Sequence, residues 1–274
     1  MTRSTPSSDG SWFDELELDP QAHPVSMGTR SLGVRPWLVV DDRRADELAQ
    51  KRASLTERRD EVAWFTDASR PAATAVTDLI EAHGIDLTEP ADHPLERAAL
   101  SVQEDLCLLR RDPDIWVLDA SVLCFPTHWT LAEKVDRPIG QVHDPVGGYH
   151  ERIAERVTRL FDRLTDHPVW RRNWSLTDTT ELFQPRYRDG DPDIPTDRVM
   201  HELHIRSERQ TLRLVAPGWI LFTIRVQMAS LDELLTTPAR HMALRHWVEH
   251  VPADIAPKRH LGESQRRALL AALK

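Results

Sequence analysis

The stretch LHIRSERQTLRLVAPGWILFTIRV, residues 203–226, decides the fold. It contains two short runs rich in branched and aromatic residues, TLRLV and GWILFTIRV, with the turn-forming pair Pro217-Gly218 between them. This pattern predicts two antiparallel strands joined in a hairpin. The runs SVQEDLCLLRRD and IWVLDASVLCFP, with the turn residues DPD between them, predict a second hairpin earlier in the chain.

Helices are predicted on both sides of these strands. Residues 41–69 and 71–83 carry apolar residues three and four apart. Residues 148–166 place apolar side chains on one helical face, and residues 230–251 and 262–274 are also rich in helix formers. Helices first, strands in the centre and helices last predict an α+β domain with a largely antiparallel sheet rather than a doubly wound one.

Composition excludes several classes of protein. The net charge of −9 opposes binding to phosphate backbones, and no apolar run is long enough to span a bilayer. The start of the chain lacks the apolar core of a secretory signal, so we expect a flexible tail over 1–25 and a single domain over 26–274. Cys107 and Cys124 lie in apolar runs, which favours buried thiols in a reducing cytoplasm.

Short motifs of known chemistry are mostly missing from the sequence. It has no GxGxxG, no P-loop, no GxSxG and no paired CxxC. HELH at 201–204 is one residue short of the HExxH pattern, and the strand-like run that follows argues against a helix there. HWVEH at 246–250 sets two histidines four apart on a predicted helix without an obvious third ligand, so a solvated helix face is the preferred interpretation.

The densest group of polar residues lies in the first part of the deciding stretch. If residues 203–212 form a strand, His204, Arg206, Glu208 and Gln210 share one face, because side chains alternate along a strand. An exposed edge strand with an Arg and Glu pair is the alternative interpretation. The segment WRRNWSL, 170–176, is expected to follow a helix and to cap it or anchor it to the core.

Five segments together resemble the signatures of a known family. They are MGTRSL (27–32), VQEDLCLL (102–109), VLCFPTHWTLAEKVDRPIGQVHDPV (122–146), WRRNW (170–174) and the stretch 203–226. They are similar to the haem-dependent oxidative N-demethylases of the catalytic-subunit type, related to dimethylamine monooxygenase. The resemblance implies a PAS-like fold, in which a twisted antiparallel sheet and flanking helices enclose haem b (heme b). It also implies that O2 is a co-substrate and that an N-methyl group leaves as formaldehyde.

The resemblance also suggests roles for individual residues. His143, which Pro145 and Gly147 would hold in a stiff turn, is the first candidate for the ligand of the haem iron. His204 is the second candidate and His128 the third, while a surface turn is the alternative for His143. His204 and Asn173 are further expected to contact the cofactor.

Arg206 and Glu208 are the expected catalytic residues. A guanidinium stabilises the negative charge that oxygen gains on reduction, and a carboxylate both binds an ammonium substrate and accepts its proton. An Arg and Glu pair that only braces the strand remains the alternative. GGY at 147–149 and LVAPG at 214–218 depart from the family pattern, so a larger N-methylated metabolite is an alternative to a small secondary amine.

Three functions remain open from the sequence. The first is a haem monooxygenase that takes NAD(P)H-derived electrons from a reductase or ferredoxin-type partner, because the chain carries no flavin, nicotinamide or iron-sulfur motif. The second is a haem-bearing PAS-type gas or redox sensor, and the third is an interaction protein without a cofactor. The enzyme is favoured because an Arg and Glu pair exceeds what gas sensing requires.

Overall fold

A computed structural model describes residues 11–19, 28–113, 115–135, 137–138, 157–186 and 194–274. Its centre is a seven-stranded sheet in which every neighbouring pair is antiparallel. The order across the sheet is β1-β5-β6-β7-β3-β4-β2. The strands are β1 (Arg30–Ser31), β2 (Ala63–Phe65), β3 (Asp105–Asp112), β4 (Ile115–Val122), β5 (Val169–Thr177), β6 (His204–Ala216) and β7 (Trp219–Ser230).

Both predicted hairpins are confirmed, as β3–β4 and β6–β7. Gly218 makes the β6–β7 turn with a φ of +75°, a backbone conformation that glycine adopts without steric cost. The α+β class and the antiparallel sheet are confirmed as well. The alternative of an exposed edge for residues 203–212 is wrong, because β6 is a central strand between β5 and β7.

Most of the helices lie before β3 or after β7, as expected, but residues 157–161 and Val199–Glu202 are helical between strands. The α-helices span Arg44–Glu57, Arg59–Val62, Arg70–Ala82, Pro94–Ala99, Val199–Glu202, Leu231–Leu234, Pro238–His250 and Glu263–Ala272. Residues 157–161 are also helical, and 3-10 turns span Ser11–Glu15, Asp67–Ser69, Leu131–Glu133 and Ala256–Arg259. Among the described residues, every helix is too short or too polar to span a lipid bilayer.

Two segments differ from the predicted elements because of pairing within the sheet. The helical pattern of residues 41–69 ends at Val62, and β2 pairs with the outer edge of β4. The segment WRRNWSL is part of strand β5 rather than a cap behind a helix. Its arginines hide the strand signal in the sequence, since three consecutive polar residues between the two tryptophans interrupt the usual apolar alternation.

The two faces of the sheet are covered differently. On β6, Ile205 packs among the C-terminal helices, and Thr211 accepts a hydrogen bond of 3.1 Å from the Trp37 indole. We call this side the helix face. The alternate residues of β6 point to the other side, which we call the loop face, where Arg206 contacts the chain segments 125–127 and 181–182.

Residues 11–19 pack onto the helix face, within the stretch expected to be a flexible tail. Trp12 and Phe13 are buried in a cluster with the C-terminal helices. Asp14 pairs with Arg240 at 2.8 Å, so this stretch contributes to the packed fold. The domain limits of 26–274 remain a prediction.

Both cysteines are free and buried, as their apolar surroundings predicted. Burial raises the pKa of the Cys107 thiol to about 12, so this thiol stays protonated at neutral pH. Burial also raises the pKa of Cys124. Burial therefore disfavours the nucleophilic thiolate form of both residues.

Candidate functional site

A patch of polar side chains lies on the loop face where β5 and β6 pair. Asn173 on β5 is in register with Glu208 on β6. Arg171 is in register with Gln210 one pair further along. Side chains at paired positions of antiparallel strands point to the same side, so these four residues form one group, the polar patch. Strand β7 borders the patch with the buried apolar side chains of Ile224, Val226 and Met228.

Hydrogen bonds connect three members of the polar patch in a row. Arg171 donates from Nε to Oε1 of Gln210 at 2.6 Å. Gln210 in turn donates from Nε2 to Oε2 of Glu208 at 2.7 Å. Glu208 is only 8% exposed, so its carboxylate is held in a defined orientation inside the protein.

Arg206 clamps two chain segments onto the loop face. Its Nη2 donates to the carbonyls of Phe125 and Pro126 at 3.0 Å and of Leu182 at 2.9 Å. Its Nε donates to Oγ1 of Thr127 at 2.9 Å. Burial lowers the pKa of Arg206 to about 10, so the guanidinium remains charged at neutral pH. These contacts describe a side chain that orders the loops, and its predicted role toward oxygen stays a prediction.

Asn173 is held from outside the sheet by Arg259. Arg259 donates to Oδ1 of Asn173 at 2.6 Å and also to the carbonyl of Trp174. Its guanidinium lies 4.9 Å from the centre of the Trp174 ring, and burial lowers the pKa of Arg259 to about 10. Sequence reasoning missed Arg259, because nothing in the segment APKRH marks it as part of a site 86 residues away from Asn173.

Two histidines from distant segments meet beside the Arg206 clamp. The ring centroids of His128 and His260 are 4.2 Å apart, and both residues have left-handed backbones, with φ of 58° and 57°. Burial lowers the pKa of His128 to about 3 and that of His260 to about 4. Both imidazoles are therefore neutral at pH 7, the form that binds metals. His260 was not a candidate from the sequence.

His204 lies half-buried at the start of β6 on the loop face. Its Nδ1 is 2.9 Å from the carbonyl of Glu202. Because a carbonyl only accepts, Nδ1 carries a proton in this contact. His143, together with Asp144, Pro145 and Gly147, lies outside the described residues, so its role as iron ligand remains a prediction.

The other histidine motifs stay away from the polar patch. His201 belongs to the one-turn helix Val199–Glu202, whereas the strand-like run had argued against any helix there. His246 and His250 are exposed on the helix Pro238–His250, with ring centroids 4.3 Å apart. Within the described ranges, no three His, Cys, Asp or Glu side chains are grouped so that they could hold a metal ion.

A family profile covers the part of the chain that builds this site. The profile described as "Haem-dependent oxidative N-demethylase, alpha subunit-like" matches residues 77–269, more than two thirds of the sequence. The matched range includes strands β3 to β7, the polar patch, both loops held by Arg206, and the Arg259 and His260 contacts. The chain therefore belongs to the haem-dependent oxidative N-demethylase, alpha subunit-like, family.

Proposed function

We propose that this chain is the haem-binding catalytic component of a monooxygenase that removes an N-methyl group from a secondary amine as formaldehyde. The observation that carries the proposal is the buried Glu208 carboxylate beside Ile224, Val226 and Met228 on the loop face. An anion next to an apolar wall is complementary to an alkylated ammonium, which has one charge and apolar substituents.

The residues of the loop face fit a haem. A porphyrin needs an apolar wall, which β7 supplies, and an imidazole with a free lone pair. The lowered pKa values of His128 and His260 support neutral imidazoles in this part of the molecule. We propose His143 as the iron ligand, with His204 and Asn173 near the cofactor and the PAS-like sheet enclosing it. Bound haem supplies the activation of O2, which no side chain provides.

Glu208 has two roles in this proposal. Its carboxylate pairs with the substrate ammonium and then accepts the N–H proton, because an amine must lose that proton before the nitrogen or its methyl carbon is oxidised. The hydrogen bond from Gln210 leaves the second carboxylate oxygen, Oε1, for this transfer. The loops held by Arg206 keep bulk water away from the ion pair, which strengthens it.

Arg206 has two proposed roles that experiment can separate. In the first, its positive charge stabilises the negative charge that develops as oxygen is reduced. In the second, which its contacts support, it acts by keeping residues 125–127 and 181–182 over the site. Loss of activity without loss of stability in Arg206→Met indicates the first role, and parallel loss of both indicates the second.

The electrons are proposed to come from another protein. The sequence carries no motif for flavin, nicotinamide or an iron-sulfur cluster. A reductase or a ferredoxin-type donor that draws on NAD(P)H would supply them, and cytoplasmic location is the matching expectation. Dimethylamine is the first substrate to test, followed by larger N-methylated amines.

The decisive experiment begins with the absorption spectrum of the purified protein. We expect a Soret band in the parent and in His246→Ala, whose imidazole is exposed, and a loss or shift of the band in His143→Ala. The parent is then given a reductant, O2 and a panel of N-methylamines, and formaldehyde is measured. A colourless parent contradicts the proposal. Stable oxygen binding without formaldehyde across the panel favours the alternative of a haem sensor.

A further inference from the structure

We propose that Arg171 is a positioning residue which fixes the orientation of the Gln210 amide and thereby determines which oxygen of Glu208 meets the amine. This inference rests on the proposed function, in which Glu208 is the anion that binds the substrate. It extends that function because it adds a residue that touches neither substrate nor cofactor in the proposal.

The orientation of the Gln210 amide follows from the chemistry of its two neighbours. A guanidinium has only donors, so the amide oxygen of Gln210 must face Arg171, at 2.6 Å from Nε. The amide nitrogen then faces Glu208, at 2.7 Å from Oε2. An N–H that donates to a carboxylate oxygen stabilises the charged form of the carboxyl group. Arg171 thus acts on Glu208 through two hydrogen bonds in series.

The same geometry selects the oxygen that accepts a proton. Oε2 of Glu208 already accepts the Gln210 N–H, and this hydrogen bond makes Oε2 the less basic of the two carboxylate oxygens. The proton from the substrate is therefore accepted preferentially by Oε1. Without Arg171, the amide of Gln210 is free to rotate by half a turn and present its own oxygen to Glu208. Two facing oxygens need a proton between them, so Glu208 would then hold a proton at a higher pH.

Other charged groups surround Glu208 and act on the parent and the variants alike. Arg206 on the same strand attracts it electrostatically, and Arg259 reaches the adjacent Asn173 from the C-terminal 3-10 turn. Strand β7 contributes the uncharged Val226 in register. Of the residues that the structure describes, Gln210 is the one that donates a side-chain hydrogen bond to the Glu208 carboxylate.

The experiment measures the protonation of Glu208 directly. Haem-loaded protein labelled with carbon-13 at glutamate side chains is titrated by NMR, and the Glu208 signal is identified by its loss in Glu208→Gln. We expect the titration midpoint to rise by about one pH unit in Arg171→Met and in Gln210→Met. Arg171→Lys should restore the parent midpoint, since an ammonium is also a pure donor and locks the amide in the same orientation. Arg213→Met removes one charge from the other face of β6 and serves as the control.

A second measurement separates this inference from the proposed function. Binding of dimethylammonium chloride is followed by calorimetry from acidic to neutral pH, where the ligand stays charged because alkylammonium ions lose their proton only near about pH 10. Both proposals are supported if the pH at which dimethylammonium binding is half lost follows the Glu208 titration midpoint from one variant to the next. If no methylamine binds while the midpoint still depends on Arg171, the proposed function fails and the positioning role stands. An unchanged midpoint in both Arg171→Met and Gln210→Met overturns the inference.

Discussion

The two faces of strand β6 both bury charged residues, yet they pair them differently. On the helix face, Arg209 is in register with Arg172 on β5 and Arg225 on β7, so three arginines with buried side chains lie side by side. Arg209 donates to the carbonyls of Pro36 and Trp37, and carboxylates from the N-terminal part of the chain contact the two arginines beside it. Asp41 and Glu47 contact Arg225 at 2.6 and 2.8 Å, and Glu15 contacts Arg172 at 2.7 Å.

The loop face uses neutral partners instead. Arg206 donates to backbone carbonyls and a hydroxyl, and Glu208 accepts from an amide. An ion pair cancels the charges of both partners, whereas hydrogen bonds from neutral groups leave the net charge of an ion unchanged. The comparison separates the carboxylates of the two faces: Asp41 and Glu47 meet a cation, whereas Glu208 accepts from a neutral amide, and under the proposed function its charge is left for a ligand.

The largest effect is expected from Arg225→Met on the helix face. This change leaves the buried Asp41 and Glu47 without their cation, and breaking a buried pair in this way costs about 3–5 kcal/mol of unfolding free energy. Urea unfolding measures the loss. Arg52→Met, which removes an exposed pair with Glu89, serves as the control and should change stability by less than about 1 kcal/mol. Equal losses in both variants would contradict the structural role of the helix face.

Glu208→Gln is expected to lower amine turnover by about a hundredfold or more, because an amide neither pairs with ammonium nor accepts its proton. Its fold should be kept, since Gln occupies the same space. The matched variant on the helix face is Glu47→Gln, which weakens the contact with Arg225 and should cost about 2–3 kcal/mol of stability. Formaldehyde release and urea unfolding are measured for both. If Glu208→Gln loses as much unfolding free energy as Glu47→Gln, the carboxylates of the two faces do not differ in their contribution to stability, and the prediction is wrong.

Arg206→Lys tests the clamp on the loop face. A lysine keeps the charge but cannot reach both segments at once, so we expect a loss of about 2 kcal/mol in unfolding free energy. Proteolysis of the native variant should also cut near residues 125–127 or 181–182 sooner than in the parent. Unchanged stability combined with lost activity would instead support the predicted role of Arg206 toward oxygen.

The smallest effect concerns acid stability at the His128 and His260 contact. Burial lowers the pKa of His128 to about 3 and that of His260 to about 4, from an ordinary value of 6.5. At a pH between the folded and the ordinary value, the unfolded chain therefore binds more protons than the folded chain. Stability should therefore fall as the pH drops below about 6.5, by about 1 kcal/mol for each ring at pH 5 after allowing for partial solvent exposure.

Replacement of either ring by glutamine should flatten this pH dependence in urea unfolding measured from pH 5 to 7. His167→Gln is the control, because that side chain is 88% exposed. If the unfolding free energy depends on pH equally in the parent and in His128→Gln, protonation of His128 does not destabilise the fold, and the prediction is wrong.

Local signals in the sequence predicted much of the central architecture. Alternating residues and turn pairs located the hairpins β3–β4 and β6–β7, and the helical period located Arg70–Ala82 and Pro238–His250. Alternation along residues 204–210 also set Arg206, Glu208 and Gln210 on one side. These features depend on neighbours within a few residues, so the sequence contains all that specifies them.

Local patterns in the sequence could not predict which distant residues contact these side chains. β5 lies next to β6 through backbone hydrogen bonds between segments far apart in the chain, and that pairing sets Asn173 beside Glu208 and Arg171 beside Gln210. Arg259 and His260 reach the site from a still more distant segment. By itself the sequence determined which side chains share a strand face, because alternation is a local property of the backbone. Only the tertiary structure decided which partner each charge meets, because that depends on the packing of segments that no local period connects.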